Sequence, residues 1–314
     1  MSALEARPRP AVLSAEQVAA YHRDGYLLVE RLIGPELLGR LHERVAAFLE
    51  RSRSVAASDS VFDLAPGHGA ESPRLRRLKT PDEQDPLFWE VASGILADVA
   101  ADLIGAEEGG GVTFHHSKLN FKWSEANPQA NAVRWHQDIQ FYPHTNYSPM
   151  TIGLYLQDVG PTDGPLTVLP GSHDGPLYDQ YDAEGNWTGC LSDADAAGLD
   201  ESKAVMLTGP AGSITVHNCR TVHSSPPATT AHGRPLLLNA YAAADAFPYT
   251  VNPSVSRHDR ELLRGRPARW ARHDPRPCLI PPDWSGGYSS IFAAQSGEEK
   301  GTGKAKAAGK PAMM

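Results

Sequence analysis

The stretch Phe114-His115-His116-Ser117-Lys118-Leu119-Asn120-Phe121-Lys122 indicates how this chain folds. In an extended strand, successive side chains point to opposite faces. The alternation predicts an apolar face with Leu119 and Phe121, and a polar face formed by His116, Lys118 and Asn120. A strand that packs one side on a core and turns polar side chains the other way is typical of a ligand-holding barrel. His115 falls in the apolar register, so we expect it to be buried and hydrogen-bonded.

The chain before this strand is predicted to be mainly helical. Ser14 and Gln17 form a capping-box pattern, and the helix that follows should end at Gly25. The other predicted elements up to this strand are a strand over 26–29, a helix from Pro35, a loop over 55–79 and a helix over 84–105. These segments form a helical part, 14–105.

The chain after this strand is predicted to be an all-β body, since short apolar runs alternate with Pro, Gly and Asp turns. The predicted strands lie at about 150–157, 166–169, 213–217, 220–224 and 235–242. We therefore expect a single domain over 13–292, with a β core over 112–242 and a C-terminal extension over 243–292. A flexible leader (1–12) and a disordered tail (293–314) should flank it.

Composition excludes several classes of protein. The chain has 314 residues, a net charge of −8 and no basic face, which argues against nucleic-acid binding. Its three cysteines are far apart, so a disulfide framework is not expected. It begins without an apolar leader and contains no run long enough to cross a bilayer. We expect a cytoplasmic protein, monomeric or homodimeric, that acts on a small molecule.

The segment Trp135-His136-Gln137-Asp138, taken with the distant His223, has the pattern of a metal site. Two imidazoles and one carboxylate form a facial triad that leaves positions on Fe(II) open. Arg234 follows His223 and could hold a dicarboxylate with its planar guanidinium. Together they predict an Fe(II)- and 2-oxoglutarate-dependent oxygenase that uses O2. Because Asp138 is not Gly or Ala, oxygen transfer is favoured over halogenation.

Three other interpretations of these residues remain open. His136 and Asp138 can form a local hydrogen bond, with His223 a satisfied core residue. A zinc- or manganese-dependent hydrolase or isomerase can use the same ligands, and a non-catalytic barrel can bind a small molecule. The presence of Arg234 argues against the last two.

The ordered motifs resemble the phytanoyl-CoA dioxygenase family, and within it the ectoine-hydroxylase-like bacterial members. The resemblance covers roughly residues 12–242. Besides the strand 116–122, it rests on Ala19-x-x-His22-x-x-Gly25-Tyr26, Trp135-His136-Gln137-Asp138, Asp163-Gly164-Pro165-Leu166, Leu169-Pro170-Gly171-Ser172-His173, Ala211-Gly212-Ser213, His223-Ser224 and Arg234. It implies a mainly β fold with flanking helices, built on a double-stranded β-helix, or jelly-roll (cupin-like), core.

The resemblance also implies residue roles. His136, Asp138 and His223 would be the catalytic metal ligands, and Arg234 would pair with the far carboxylate of 2-oxoglutarate. Lys118, Asn120 and Trp135 match positions that line the cosubstrate pocket, and His116 stands where ectoine-type members carry Gln. The sequence departs from the family at His217-Asn218, at Ser224-Ser225-Pro226-Pro227 and at Lys122-Trp123, which puts the substrate in doubt.

Several residues are candidates for substrate binding. His116, Phe141, Tyr142 and His144 are predicted to contact the substrate, although His144 can equally belong to a packed surface loop. The acidic insertion 174–201 is either a lid for a cationic substrate or a solvated loop. Arg134 and Arg220 can meet a substrate carboxylate or pair locally. His173 and His217 are interpreted as structural, with a cavity-facing position left open for His217.

The predicted reaction is hydroxylation of a C–H bond in an amino acid derivative or natural-product intermediate. Succinate and CO2 would be released. Desaturation, cyclisation or epimerisation would use the same site.

Overall fold

A computed structural model describes residues 11–105, 110–124, 131–230, 233–286, 288 and 290–296. Most of the predicted leader and tail lies outside these residues. The helices are α1 Ala15–Asp24, α2 Pro35–Ser52, α3 Pro81–Gln84, α4 Pro86–Ser93, α5 Ile95–Ile104, α6 Asp193–Ala197 and α7 Ile291–Ser296. None of the helices in these ranges is long and apolar enough to span a bilayer.

The strands form two antiparallel sheets in the described part of the chain. They are β1 Tyr26–Val29, β2 Phe62–Leu64, β3 Leu75–Lys79, β4 Val112–Asn120, β5 Val133–His136, β6 Met150–Tyr155, β7 Leu166–Val168, β8 Val205–Leu207, β9 Ile214–Asn218, β10 His223–Ser225, β11 Leu236–Ala243 and β12 Leu262–Arg264. The large sheet has the order β1-β9-β6-β11-β4-β3-β2, with β12 also on β4, and the small sheet has the order β5-β10-β7-β8. The predicted fold class is confirmed.

The main core lies on the outer face of the large sheet. Leu96, Val99 and Leu103 of α5 are buried in one cluster with Phe114 and Leu119 of β4. Apolar burial of this kind supplies the main driving force for folding. The inner face of the large sheet is left to face the small sheet across a cavity.

Local signals explain the helix ends. Ser14 and Gln17 make the predicted capping box, and α1 stops at Gly25, whose φ is +79°. The prediction of one continuous helix over 84–105 was wrong, because the structure has two helices there. Asp85 caps α4 by accepting from the Leu87 N–H, and Gly94 separates α4 from α5 with a non-helical backbone.

The predicted loop over 55–79 was also wrong, because it contains β2 and β3. Arg77, Leu78 and Lys79 pair with Asn120, Leu119 and Lys118 of β4. In the β2–β3 pair, Asp63 lies opposite Arg77 but the next residue, Leu64, lies opposite Leu75, so the register shifts between them. This bulge puts Leu75 and Leu78, both fully buried, on the same side of β3. That bulge breaks the period of two on which strand recognition depends.

The C-terminal extension is longer than predicted. Helix α7 includes residues 293–296, which were assigned to the disordered tail. Ile291, Phe292 and Ala294 of this helix are buried. Their burial gives the segment an ordered position against the β core.

We predict that Gly25→Ala destabilises the fold by about 2 kcal/mol or more, through left-handed strain and overpacking. A Cβ at Gly25 would lie 2.4 Å from Nδ1 of His173. Gly105→Ala is the matched control, since its φ is +72° but no atom lies within 4 Å of the added carbon. Denaturant unfolding gives the free energy of unfolding of both variants. An equal loss of stability in the two would contradict the predicted clash at Gly25.

Candidate metal and cosubstrate site

The predicted triad converges in the structure. His136 ends β5, Asp138 begins the 3-10 turn Asp138–Gln140, and His223 begins β10. Pairing of β10 with β5 sets His223 opposite His136. One ligand atom from each of the three residues lies within 4.8 Å of the others, and all three side chains are buried. Asp138 reaches this position from the turn, not from the strand on which it was predicted.

Backbone carbonyls orient both imidazoles. The Nδ1 atoms of His136 and His223 lie 2.9 Å from the carbonyl of Arg134 and 2.8 Å from that of Thr221. Each Nε2 is then 3.7 Å from Oδ1 of Asp138. Burial lowers the pKa of His136 to about 4, and burial with neighbouring imidazoles lowers the pKa of His223 well below its ordinary value. Neutral imidazoles with free Nε2 atoms are what a metal ion requires.

The outer oxygen of Asp138 is held by two further residues. Oδ2 accepts a 2.9 Å hydrogen bond from the hydroxyl of Thr151 and lies 3.2 Å from Nε2 of His217. Burial opposes the ionisation of Asp138, but the hydrogen bond from His217 and nearby positive charge hold its pKa well below the ordinary value. His217 was interpreted as structural. It faces the cavity because β9 pairs with β6 and sets it opposite Thr151.

Arg234 borders the cavity with unused donors. It is buried, and its Nε and Nη1 atoms have no hydrogen-bond partner among the described residues. Backbone bonds pair Arg234 with Lys122, the N–H of each donating to the carbonyl of the other. Buried guanidinium donors without a hydrogen-bond partner are suited to binding a carboxylate. The donor set therefore suits one end of 2-oxoglutarate, with the triad suiting Fe(II) at the other.

Lys122 is a cavity residue that was missed as a functional candidate. Its ammonium donates 2.9 and 2.6 Å hydrogen bonds to the carbonyls of Ser225 and Pro226, and a 2.5 Å bond to the Ser225 hydroxyl. Gly164 packs against it with φ +65°, where a Cβ would lie 2.6 Å from Cδ of Lys122. The lysine thus fixes the end of β10 beside Arg234.

The predicted polar face of β4 lines the cavity. His116, Lys118 and Asn120 all border it, and so does Arg77 of β3. The Nε atom of Arg77 donates to Oδ1 of Asn120 at 2.9 Å. Arg77 was missed because its segment was predicted as a loop. Burial lowers the pKa of Lys118 to about 8.

Trp135 does not lie where it was predicted. It is not among the residues that border the cavity. Its ring packs against Leu169, Leu191 and Val222, and its Nε1 donates to Oε1 of Glu201 at 3.0 Å. The physical reason is strand alternation, because His136 faces inward and its neighbour must face the opposite way.

His115 also departs from its expected register. A bulge in the β4–β11 pairing sets Ala240 opposite His116 and Tyr241 opposite Phe114. His115 is therefore displaced towards the cavity side, where its ring lies 4.8 Å from both His116 and Tyr142 and 5.1 Å from His144. It is buried and hydrogen-bonded as predicted, since its Nδ1 lies 2.5 Å from Nδ1 of His116, while its Nε2 has no partner among the described residues.

Aromatic and aliphatic residues form one wall of the cavity. Phe141 and Tyr142 border it, together with Tyr288, Ile291 and Phe292 from the C-terminal segment. Trp284 of that segment donates through Nε1 to the carbonyl of Phe141 at 2.8 Å. His144 is buried behind this wall, and it contacts His115 and Tyr142 instead of bordering the cavity. The C-terminal contribution had no recognisable signal in the sequence.

The acidic insertion uses its charges locally. Asp182 accepts hydrogen bonds from Asn186, Asp195 accepts one from Ser192, and Asp200 accepts one from Ser202 and pairs with Lys203.

Arg134 pairs with Asp193, and Arg220 donates to the carbonyl of Gly175 while its guanidinium lies over the ring of Tyr147. His173 bonds the carbonyl of His22 at 3.1 Å, in keeping with a structural role. These contacts favour the solvated-loop interpretation of the insertion and local pairing of both arginines.

We predict that Thr151→Val weakens Fe(II) binding by about 10-fold or more, because residues that orient metal ligands typically contribute 10- to 100-fold in metal affinity. Thr113→Val is the control, since Thr113 is also buried on a strand but its hydroxyl bonds the carbonyl of Ala242. Anaerobic Fe(II) titration measures both. Unchanged metal affinity in a folded Thr151→Val protein would exclude the hydroxyl from positioning Asp138.

Comparisons with known proteins agree with this geometry. The family described as "Phytanoyl-CoA dioxygenase (PhyH)" matches residues 21–236. A "Probable alpha-ketoglutarate-dependent hypophosphite dioxygenase" of Stutzerimonas stutzeri is 31% identical, over 90% of this chain and 96% of its own. An "Ectoine dioxygenase" of Sphingopyxis alaskensis is 26% identical, over 68% and 71%.

A solved structure supports the fold. The crystal structure of EctD from S. alaskensis with 2-oxoglutarate and 5-hydroxyectoine superposes with a TM-score of 0.61 at 24% identity, covering 88% of this chain and 92% of that one. The likeness shows a common fold. With the family match extending from α1 to β11, the chain belongs to the phytanoyl-CoA dioxygenase family.

Proposed function

We propose that this chain is an Fe(II)- and 2-oxoglutarate-dependent dioxygenase that hydroxylates a C–H bond of a small metabolite. The observation that carries the proposal is the buried His136–Asp138–His223 group with the orphaned guanidinium of Arg234 in the same cavity. Membership of the family supports the same chemistry. The domain responsible extends over 13–292 and continues into α7.

The three triad residues would hold Fe(II), and Arg234 would hold the far carboxylate of 2-oxoglutarate. Bound iron, with 2-oxoglutarate and O2, supplies the oxidising power and releases succinate and CO2. Thr151 and His217 keep the outer oxygen of Asp138 turned away from the metal position. Lys122 positions the end of β10, and Asn120, held by Arg77, borders the cosubstrate space.

The aromatic and aliphatic wall of the cavity would shield the reaction from water. Phe141, Ile291 and Phe292 provide apolar surface, while His116 and Tyr142 provide polar groups for the substrate. Exclusion of water strengthens electrostatic interactions inside a site. A zinc-type hydrolase would have no use for a buried guanidinium whose Nε and Nη1 lack a partner among the described residues, which makes Arg234 an argument for the oxygenase.

The direct test is succinate release from 2-oxoglutarate, screened against a panel of small metabolites under air and under argon. Substrate-stimulated release that requires both Fe(II) and oxygen is the expected result. Equal release under argon, or indifference to 2-oxoglutarate, would exclude an oxygenase.

We predict that Asp138→Ala abolishes substrate hydroxylation, because the metal loses its only carboxylate ligand in the triad. Asp193→Ala is the control, since that carboxylate is 95% exposed and pairs with Arg134. Product formation and metal content are measured for both variants. Undiminished turnover in Asp138→Ala would remove the triad from the proposal.

We predict that Arg234→Met raises the KM for 2-oxoglutarate on the order of 30-fold or more, from the loss of about 2 kcal/mol or more in a buried charge pair. Arg276→Met is the control, because that guanidinium is 57% exposed in an ion pair with Asp274. Initial rates at varied 2-oxoglutarate give both KM values. An unchanged KM in Arg234→Met would count against its assigned role.

A further inference from the structure

The cavity carries more positive than negative charge. Its described lining includes four cationic side chains, Arg77, Lys118, Lys122 and Arg234, and one carboxylate, Asp138. Buried charges are normally paired or bound to a metal ion. Comparing the donors of each cationic side chain with their hydrogen-bond partners shows which cation is left for a further ligand.

The metal end of the site is balanced without further charge. Oδ2 of Asp138 is engaged by Thr151 and His217, and Oδ1 faces the two imidazoles. A divalent iron, the Asp138 carboxylate and the keto-acid carboxylate of 2-oxoglutarate together sum to zero.

Three of the four cations also have assignments. The unpartnered Nε and Nη1 of Arg234 suit the far carboxylate of 2-oxoglutarate. All three donors of the Lys122 ammonium are used by Ser225 and Pro226. Arg77 is engaged with Oδ1 of Asn120. None of these three side chains is left over for the substrate.

Lys118 is the remaining cation. It lies on the cavity face of β4, two residues from His116 and two from Asn120, and is only partly buried. Within the described residues its Nζ has no hydrogen bond to any side chain or carbonyl. Asp138 is the carboxylate that acts on it electrostatically, and both oxygens of Asp138 are committed. Desolvation of the ammonium lowers the pKa of Lys118 to about 8, although Asp138 acts in the opposite direction, and an anion beside the ammonium would offset that desolvation cost.

We infer that the primary substrate is a small anion, a carboxylate or a phosphorus oxyanion, whose negative group is held by the ammonium of Lys118 beside His116. This inference rests on the proposed function and names its substrate class. It argues against one of the two interpretations of the insertion 174–201, an acidic lid that selects a cation. Asp182, Asp195 and Asp200 of the insertion are engaged locally, and the described cavity lining offers no carboxylate besides Asp138. It also assigns Lys118 to the substrate instead of the cosubstrate.

The test measures binding by calorimetry on the full-length protein, loaded with Fe(II) and 2-oxoglutarate without oxygen. The probes are butyrate, methylphosphonate and the neutral butyramide, which matches butyrate in shape. We expect at least one anion to bind about tenfold or more tightly than butyramide, as hydrogen bonds to charged groups typically contribute that much. The anion that binds more tightly shows whether the substrate carries a carboxylate or a phosphorus oxyanion. Equal binding of butyramide, or no binding of either anion, would overturn the inference.

Variants of Lys118 test whether its ammonium is the group that holds the anion. Lys118→Met should weaken anion binding about tenfold or more while 2-oxoglutarate affinity changes little, and Lys118→Arg should restore anion binding. Lys203→Met is the control, because Lys203 is 75% exposed and pairs with Asp200. Weaker 2-oxoglutarate binding with unchanged anion binding in Lys118→Met would return Lys118 to the cosubstrate site and overturn the inference.

The two proposals fail in different ways. Absence of 2-oxoglutarate binding to the wild-type protein would remove the proposed function. Intact 2-oxoglutarate binding, with neither butyrate nor methylphosphonate binding more tightly than butyramide, would remove only the substrate class.

Discussion

The antiparallel pairing of β10 with β5 is the constraint on which the site depends. It brings His223 opposite His136 although the two residues are far apart in sequence. The second pairing, β9 with β6, sets His217 and Thr151 side by side so that both reach Asp138. The small sheet thus supplies the two imidazoles, and the large sheet supplies the groups that orient the carboxylate. A shift of one residue in either pairing would turn the inward side chains outward.

The placement of charged and apolar residues around the cavity also sets its electrostatics. Lys118 lies on β4, Lys122 two residues after its end and Arg234 two residues before β11, and all three border the same cavity as the metal ligands. Apolar residues from two distant segments, around Phe141 and around Phe292, pack together beside this cavity. A dianionic cosubstrate and an anionic substrate would then enter a space with few competing carboxylates, where Coulombic attraction is weakly screened.

Residues whose roles depend on type and local spacing could be predicted from the sequence. His136, Asp138, His223 and Arg234 were all named, and the capping residues of α1 and its terminal Gly25 were correct. Residues that depend on backbone irregularities were not. Bulges move His115 towards the cavity and hide β3, and with it Arg77, from a pattern of strict alternation.

By itself, the sequence determined the chemistry of the ligand set, the order of a helical part followed by a β body, and the polar face of β4. Only the tertiary structure decided that Trp135 turns away from the cavity, that Ser225 and Pro226 occupy all three donors of Lys122, and that α7 lines the cavity. The physical reason is that these features arise from contacts between segments distant along the chain. Strand register and the burial of one segment against another create such contacts, and neither leaves a periodic signal in the residues themselves.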